Sequence, residues 1–397
     1  MNARGPIERT TYERNIQVAI ALASVIEGSF TSGYMAYFIQ STGSIAAADA
    51  VASWFWWTMV IAEMPTGYLA DLWGPRVALL TSAAVRSVGF LLFFIANGST
   101  LTLNVANMVA AAAVTLSSGT FAAQLKLSAR DNNAVADFSR FAATATMNRN
   151  IGLFGGAVAS FAAMRWFGLK WIWILAICAT FVLLVFVYTT WKNTKGVAER
   201  HMFKQLRGAL ITVFGSPLLV FWLCIDATLV FSSMSMFDNW VAVYAPQLGF
   251  QAERLVAGTL LIYLFRSLVG KLWSKKRVDI PAHLLLFAFG IASIGAGVTG
   301  LFGSIPFFLA GVLAATALTI VITERVTSAL PLDQANSVAS FQSLVQNVCG
   351  ALALTFLSVL LLHFNVQTTW RIGGALSIAA ALAIWLSPRI LRVQARV

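Results

Sequence analysis

Charged side chains inside long apolar runs are the residues of this sequence with most chemistry to explain. Glu27, Arg149 and Asp226 each lie well within such a run, as do Glu63 and Arg86. A charge at the centre of a bilayer costs about 2.5–3.5 kcal/mol on insertion scales, so it normally faces a water-filled cavity or a partner. Glu27 shares one helical stripe with Thr31, Tyr34 and Phe38, at spacings of three and four. A carboxyl on a stripe that lines a wet cavity can load and release protons, which makes Glu27 the first candidate for proton coupling. The alternative is a permanent pair with an intramembrane arginine. Arg149, flanked by Asn148 and Asn150, has two matching readings. It can grip an anionic group of a cargo by a bidentate contact, or it is the resting partner of Glu27. Asp226 heads a row with Ser233, Phe237, Trp240 and Tyr244. That row reads as a second cavity wall, with Asp226 as a further proton site and aromatic faces that suit a planar or cationic molecule. Tyr34, Phe38, Phe237 and Trp240 complete the expected substrate contacts.

These side chains need helices that cross a membrane to hold them. The chain has 397 residues, 59% of them hydrophobic and 11% charged, with a mean hydropathy of +0.78. Soluble domains carry about 25% charged residues, so this chain has too little polar surface to face water. Twelve apolar segments follow one another, each near the roughly 20 residues needed to span hydrocarbon. They cover 15–40, 50–70, 76–97, 100–125, 138–164, 169–191, 217–245, 254–273, 281–302, 304–323, 334–362 and 368–388. Pro217 and Pro281 open helices, where a missing N–H has no partner to lose, while Pro246 and Pro388 close them. The longest connection, 192–216, separates an N-terminal six-helix half (1–191) from a C-terminal one (217–397). Its Ala198–Leu210 stretch reads either as a basic amphipathic helix on an anionic leaflet or as a solvated linker.

The net charge of +12 is a matter of topology. Of the 27 Lys and Arg residues, 20 fall in the N-terminal tail and in the turns after even-numbered segments, four on the opposite side, and three inside segments. The positive-inside rule then puts both termini in the cytoplasm of a multi-pass protein of the cell (inner) membrane. The same distribution argues against a nucleic-acid partner, because no basic face collects the charge.

The stretch Glu63-Met64-Pro65-Thr66-Gly67-Tyr68-Leu69-Ala70-Asp71-Leu72-Trp73-Gly74-Pro75-Arg76 runs from the second apolar segment into the third. It resembles the signature loop between the second and third helices of the major facilitator superfamily. Gly67, Asp71, Gly74 and Arg76 keep the pattern, whereas Leu72 and Pro75 stand where the family usually has basic residues. The leading Glu-x-Pro-Thr-Gly resembles one bacterial branch of that family. The resemblance implies an all-α integral membrane protein with twelve transmembrane helices in two six-helix halves, working by alternating access. It also implies that Asp71 latches the cytoplasmic helix ends; Glu63 and Arg86 are expected in the same gating network, and Glu324-Arg325 in its counterpart in the other half.

An internal repeat fits two related halves. Glu63-x-x-x-Gly67-x-x-x-Asp71 aligns with Arg266-x-x-x-Gly270-x-x-x-Ser274, and Asn148-Arg149-Asn150-Ile151-Gly152 with Gln346-Asn347-Val348-Cys349-Gly350. Gly152-Leu153-Phe154-Gly155-Gly156 resembles the antiporter motif Gly-Pro-x-x-Gly-Gly, though close helix packing explains it equally. The fourth segment lacks the arginine usual in drug–proton antiporters.

Other chemistries find no residues here. Cys178, Cys224 and Cys349 stand singly in apolar runs and read as buried, inert thiols. His201, His283 and His363 form no ligand cluster, so neither a metal nor another cofactor is expected. A phosphate-binding Gly-Lys-Ser/Thr loop is missing, as is any paired nucleophile and base, which argues against ATP drive and against an enzyme. The tryptophans 54, 56, 57, 166, 171 and 173 read as an interfacial belt. The function expected is proton-coupled export of a small amphipathic molecule by a monomer. The runner-up is proton-coupled uptake of an anionic solute, such as a carboxylate nutrient or metal chelate. A non-transporting receptor or scaffold on the same fold is the third reading.

Overall fold

The computed structural model describes residues 6–130, 135–191, 202–248, 252–275, 280–328 and 335–386, and the described residues are helical with no strand. In hydrocarbon every backbone N–H and C=O must be satisfied within the segment, and a helix is what an apolar run of this length can form. The first unit contains α1 (Pro6–Thr31), the start of α2 (Tyr34–Thr42), the second half of α3 (Ile45–Trp73), α4 (Pro75–Ile95), α5 (Thr100–Arg130), α6 (Val135–Phe167) and α7 (Ile172–Thr190). The second unit contains α8 (Met202–Gly215), α9 (Pro217–Asp238), α10 (Trp240–Leu248), α12 (Ala282–Val298), α13 (Leu301–Ser328), α14 (Ala335–Leu360) and α15 (Val366–Leu386). The division falls inside α2, α3 and α11 (Ala252–Lys275): residues 38–57 group with the second unit and 251–263 with the first. Among the described residues, ten helical stretches are long and apolar enough to cross a membrane, and α12 is a shorter apolar helix.

Two expected spans are bent. The first divides at Ser32-Gly33 into α1 and α2. Ser29 donates to the carbonyl of Val25 at 2.7 Å and Thr31 to that of Glu27. Hydroxyls that bond back onto the preceding turn loosen a helix just there. The seventh divides at Asn239 into α9 and α10, so Pro246 lies inside α10 and does not close the span. Of the expected linker helix, α8 forms over Met202–Gly215 and buries Val213 against Leu223 of α9 and Phe341 of α14. Residues 192–201 are outside the described ones.

Helix pairing recurs between the units. In the first, α1 packs on α6 and α7, and α4 on α5 and α7; in the second, α9 packs on α14 and α15, and α12 on α13 and α15. Each unit closes around one tryptophan. Trp173 of α7 is 1% exposed and lies among Phe30, Phe90, Phe93 and Tyr37. Trp370 of α15 is fully buried beside Phe308 and Tyr244, its indole N–H donating to the Ser235 carbonyl at 2.9 Å. Trp173 is therefore core and not belt, a correction periodicity did not foretell. Cys178 and Cys224 are likewise exposed on helix surfaces and not buried.

Without a hydrophobic drive between helices in lipid, close van der Waals approach holds them. Glycines make that approach possible in α1–α6. A Cβ on Gly152 would lie 2.3 Å from the Ala21 carbonyl oxygen, one on Gly156 2.3 Å from that of Val25, and one on Gly28 2.3 Å from that of Leu153. The backbones touch, and the side chains next to these glycines are thrown together.

Candidate functional site

Glu27 precedes Gly28 on α1, and Arg149 lies one turn before Gly152 on α6. The glycine contact therefore sets their separation. Arg149 Nη2 donates to Glu27 Oε1 at 3.1 Å and to Oε2 at 3.4 Å. Both side chains remain partly open, 57% exposed for Arg149 and 44% for Glu27, with Arg149 midway along α6 and Glu27 about one turn before the end of α1. A second hydrogen bond ties the same two helices, from Asn148 Nδ2 to Gln17 Oε1 at 2.9 Å. Arg86, on α4, lines a small cavity with Ala23, Ile26, Ser82, Ser117 and Thr180 and lies within electrostatic reach of Glu27. Glu27 thus touches one guanidinium group, that of Arg149, and lies within electrostatic reach of a second, that of Arg86.

The corresponding place in the second unit is held by Asp226 of α9, 2% exposed. Gln342 and Gln346 of α14, one turn apart, both donate through Nε2 to its Oδ2 at 2.8 Å. In both units a carboxylate of one helix meets polar side chains of the helix that packs on it. The first unit supplies an opposite charge and the second supplies two neutral amides.

The remaining expected site residues are spread out. Thr31 ends α1; Tyr34 follows the break, edge-on to Phe30; Phe38 is 2% exposed and buried. On α9–α10, Trp240 and Tyr244 are buried, Tyr244 bonding Ser304 at 2.9 Å. Phe237 packs against Phe289 and Phe308, and the Arg266 guanidinium lies 5.3 Å from its ring centre.

The described residues of the signature stretch make local contacts within the first unit. Gly74 adopts φ 82°, a left-handed conformation that favours glycine, and Pro75 takes the first position of α4, where its lost N–H is harmless. Arg76 Nη2 donates to the Tyr188 carbonyl at 2.7 Å and lies 5.0 Å from the centre of that ring. It thereby places a cation at the C-terminal end of α7, the favourable end for one. Thr66 bonds back to the carbonyls of Ala62 and Glu63, and the space around Gly67 is open. Glu63 is half-buried, and the side chain of Asp71 lies outside the described ones.

Sequence reasoning missed Gln342, Gln17 and Asn239 as partners, and Asp49 altogether. Asp49 is 0% exposed and accepts from Asn239 Nδ2 at 2.8 Å. Among the described residues no cluster of His, Cys, Asp and Glu has the makings of a metal site.

The sequence model of the Major Facilitator Superfamily matches residues 18–354, and no curated protein matches the sequence. Among solved structures, the chain is similar to a D-xylose–proton symporter, with a TM-score of 0.72 at 14% identity over 94% of this chain and 98% of the other. It is similar to the nucleoside transporter NupG, at 0.71 and 13% over 94% and 98%. A partially occluded, inward-open xylose transporter XylE from E. coli gives 0.67 at 13% over 94% and 99%. Such identities speak for the fold alone. Fold, intramembrane charges and family model define a multi-pass, all-α secondary transporter, not an enzyme. The chain belongs to the Major Facilitator Superfamily.

Proposed function

We propose that the chain is a proton-coupled transporter of a small organic molecule, with Glu27 as the proton site and Arg149 as the group its ionised form holds. The observation that carries this reading is the Glu27–Arg149 contact at 3.1 Å between two half-open side chains, each well inside an apolar run. A pair sealed in packing would be inert; a pair reached by water can exchange its proton. Protonating Glu27 removes the carboxylate charge that Arg149 touches and frees the guanidinium for another partner. Proton binding and cargo binding are thereby linked through one side chain.

Two cargo classes follow. Export of an amphipathic molecule relied on the aromatic row of α9–α10, where Trp240 and Tyr244 are buried and Phe237 carries Arg266 over its face. An anionic solute is favoured by a specific feature, two arginines against one acid: Arg149 in contact with Glu27 and Arg86 within electrostatic reach of it. Proteoliposomes separate these readings. Glu27→Gln is expected to abolish pH-driven accumulation while leaving substrate exchange in place; full pH-driven transport by this variant sinks the coupling assignment. A charge-assisted hydrogen bond contributes about 1.5–3 kcal/mol. Arg149→Ala should therefore weaken binding of a carboxylate or chelate probe about tenfold or more. Unchanged anion binding, together with binding of lipophilic cations that needs Glu27, returns the cargo to the amphipathic class.

A further inference from the structure

The pair of Asp49 and Asn239 has no part in the scheme above. Asp49 stands early in α3 and Asn239 at the bend between α9 and α10, and both are 0% exposed. Asn239 Nδ2 donates to Asp49 Oδ2 at 2.8 Å. The other carboxyl oxygen, Oδ1, and the amide oxygen of Asn239 are buried and receive no hydrogen bond. An ionised carboxylate offers only acceptors, and an amide oxygen only accepts, so these two atoms have nothing to exchange. Turning the amide over does not help, because its oxygen would then face Oδ2, the oxygen that now accepts from Nδ2.

One proton resolves both orphans. A carboxylic acid at Asp49 has an O–H to offer the Asn239 amide oxygen while Nδ2 keeps its bond to Oδ2, the two-bond pairing open to an acid and an amide. Charge points the same way. Asp238, next to Asn239 on α9, lies within electrostatic reach of Asp49 as a second acid. A neutral Asp49 removes that repulsion. On its own helix, the neighbouring Ser53 hydroxyl is turned to the Ala50 carbonyl and not to the carboxyl.

We propose that Asp49 is a proton-binding site, distinct from Glu27, and that its protonated form latches the first half of α3 to the α9–α10 bend. The segment 38–57 that carries Asp49 groups with the second unit. Two further contacts of α3 lie in this half: the Trp57 indole N–H donates to Thr355 at 3.0 Å, and the Trp56 ring rests on Gly350. The proton is bound in the latched form, so acid closes this end of α3 and alkali releases it.

The test uses the full chain in lipid nanodiscs, in a Glu27→Gln background so that a proton at Glu27 does not contribute. Difference infrared spectra at neutral pH are taken with and without Asp49→Asn. The expected result is a protonated-carboxyl carbonyl band that Asp49→Asn removes. The same variant forms an amide–amide ring at any pH, so its melting temperature should fall less than that of the parent as pH rises. Asn239→Leu should abolish the latch's pH dependence while keeping the helix content. A spectrum with no band for Asp49→Asn to remove, or a melting profile that follows this variant at every pH, overturns the proposal. Neither readout depends on whether Glu27 couples transport.

Discussion

Glu27 and Asp226 show how two carboxylates in equivalent settings come to have different partners. Arg149 sets its charge against Glu27, and the contact can be broken by a proton. Gln342 and Gln346 only hydrogen-bond Asp226, and their amides have no charge to release. This difference has a measurable consequence. Replacing Asp226 with Leu leaves two buried amide donors unmet, at about 1–3 kcal/mol for each such group, so a clear drop in melting temperature is expected. Asp226→Asn keeps an acceptor oxygen for the glutamines and should melt close to wild type. If transport by Asp226→Asn keeps its full pH dependence, Asp226 is structural and not a second proton site. From sequence alone, the charge of Glu27 and Arg149 inside apolar runs was legible, and so was their pairing as one of two readings. The glutamines were not, because an uncharged polar residue in a helix carries no sign of what it faces. Asp49 was illegible for another reason: so near the end of an apolar run, an acid reads as one that reaches water.

Helix contact in the first unit depends on where side chains are missing. Gly152 and Gly156 face the α1 backbone, whereas Gly155, on another face of the same helix, has nothing within 4 Å of a built Cβ. Gly156→Ala should therefore push α6 off α1 and pull Glu27 away from Arg149, while Gly155→Ala is expected to be silent. Melting temperature and pH-driven uptake in parallel check this: both fall for Gly156→Ala and neither for Gly155→Ala. Equal effects of the two substitutions would mean that the α1–α6 contact is not what positions the pair. The same glycines read equally as antiporter motif or as packing in the sequence, and the carbonyl contacts give the packing sense. Apolar length revealed the helices themselves, since backbone satisfaction in lipid leaves no other choice. The bends at Ser32-Gly33 and Asn239 were hidden, because hydropathy registers no change where a hydroxyl bonds back or a lone asparagine interrupts a run.

At the scale of the whole molecule, helix pairing recurs in the two units, one built around Trp173 and the other around Trp370, whose bounds differ from the expected halves at 38–57 and 251–263. Orientation is a separate matter, carried by charge. The described turns between α4 and α5 and between α14 and α15 are poor in Lys and Arg, while the connection before α8 is rich in them. Basic loops resist translocation, so the first two turns are expected outside and the third inside. A chain with its three cysteines changed to serine makes this testable with single cysteines introduced at Ser99, Phe364 or Gly208, all exposed positions. In intact cells a membrane-impermeant maleimide should label Ser99→Cys and Phe364→Cys, and should reach Gly208→Cys only after the membrane is opened. The opposite pattern would invert the topology expected from the distribution of Lys and Arg.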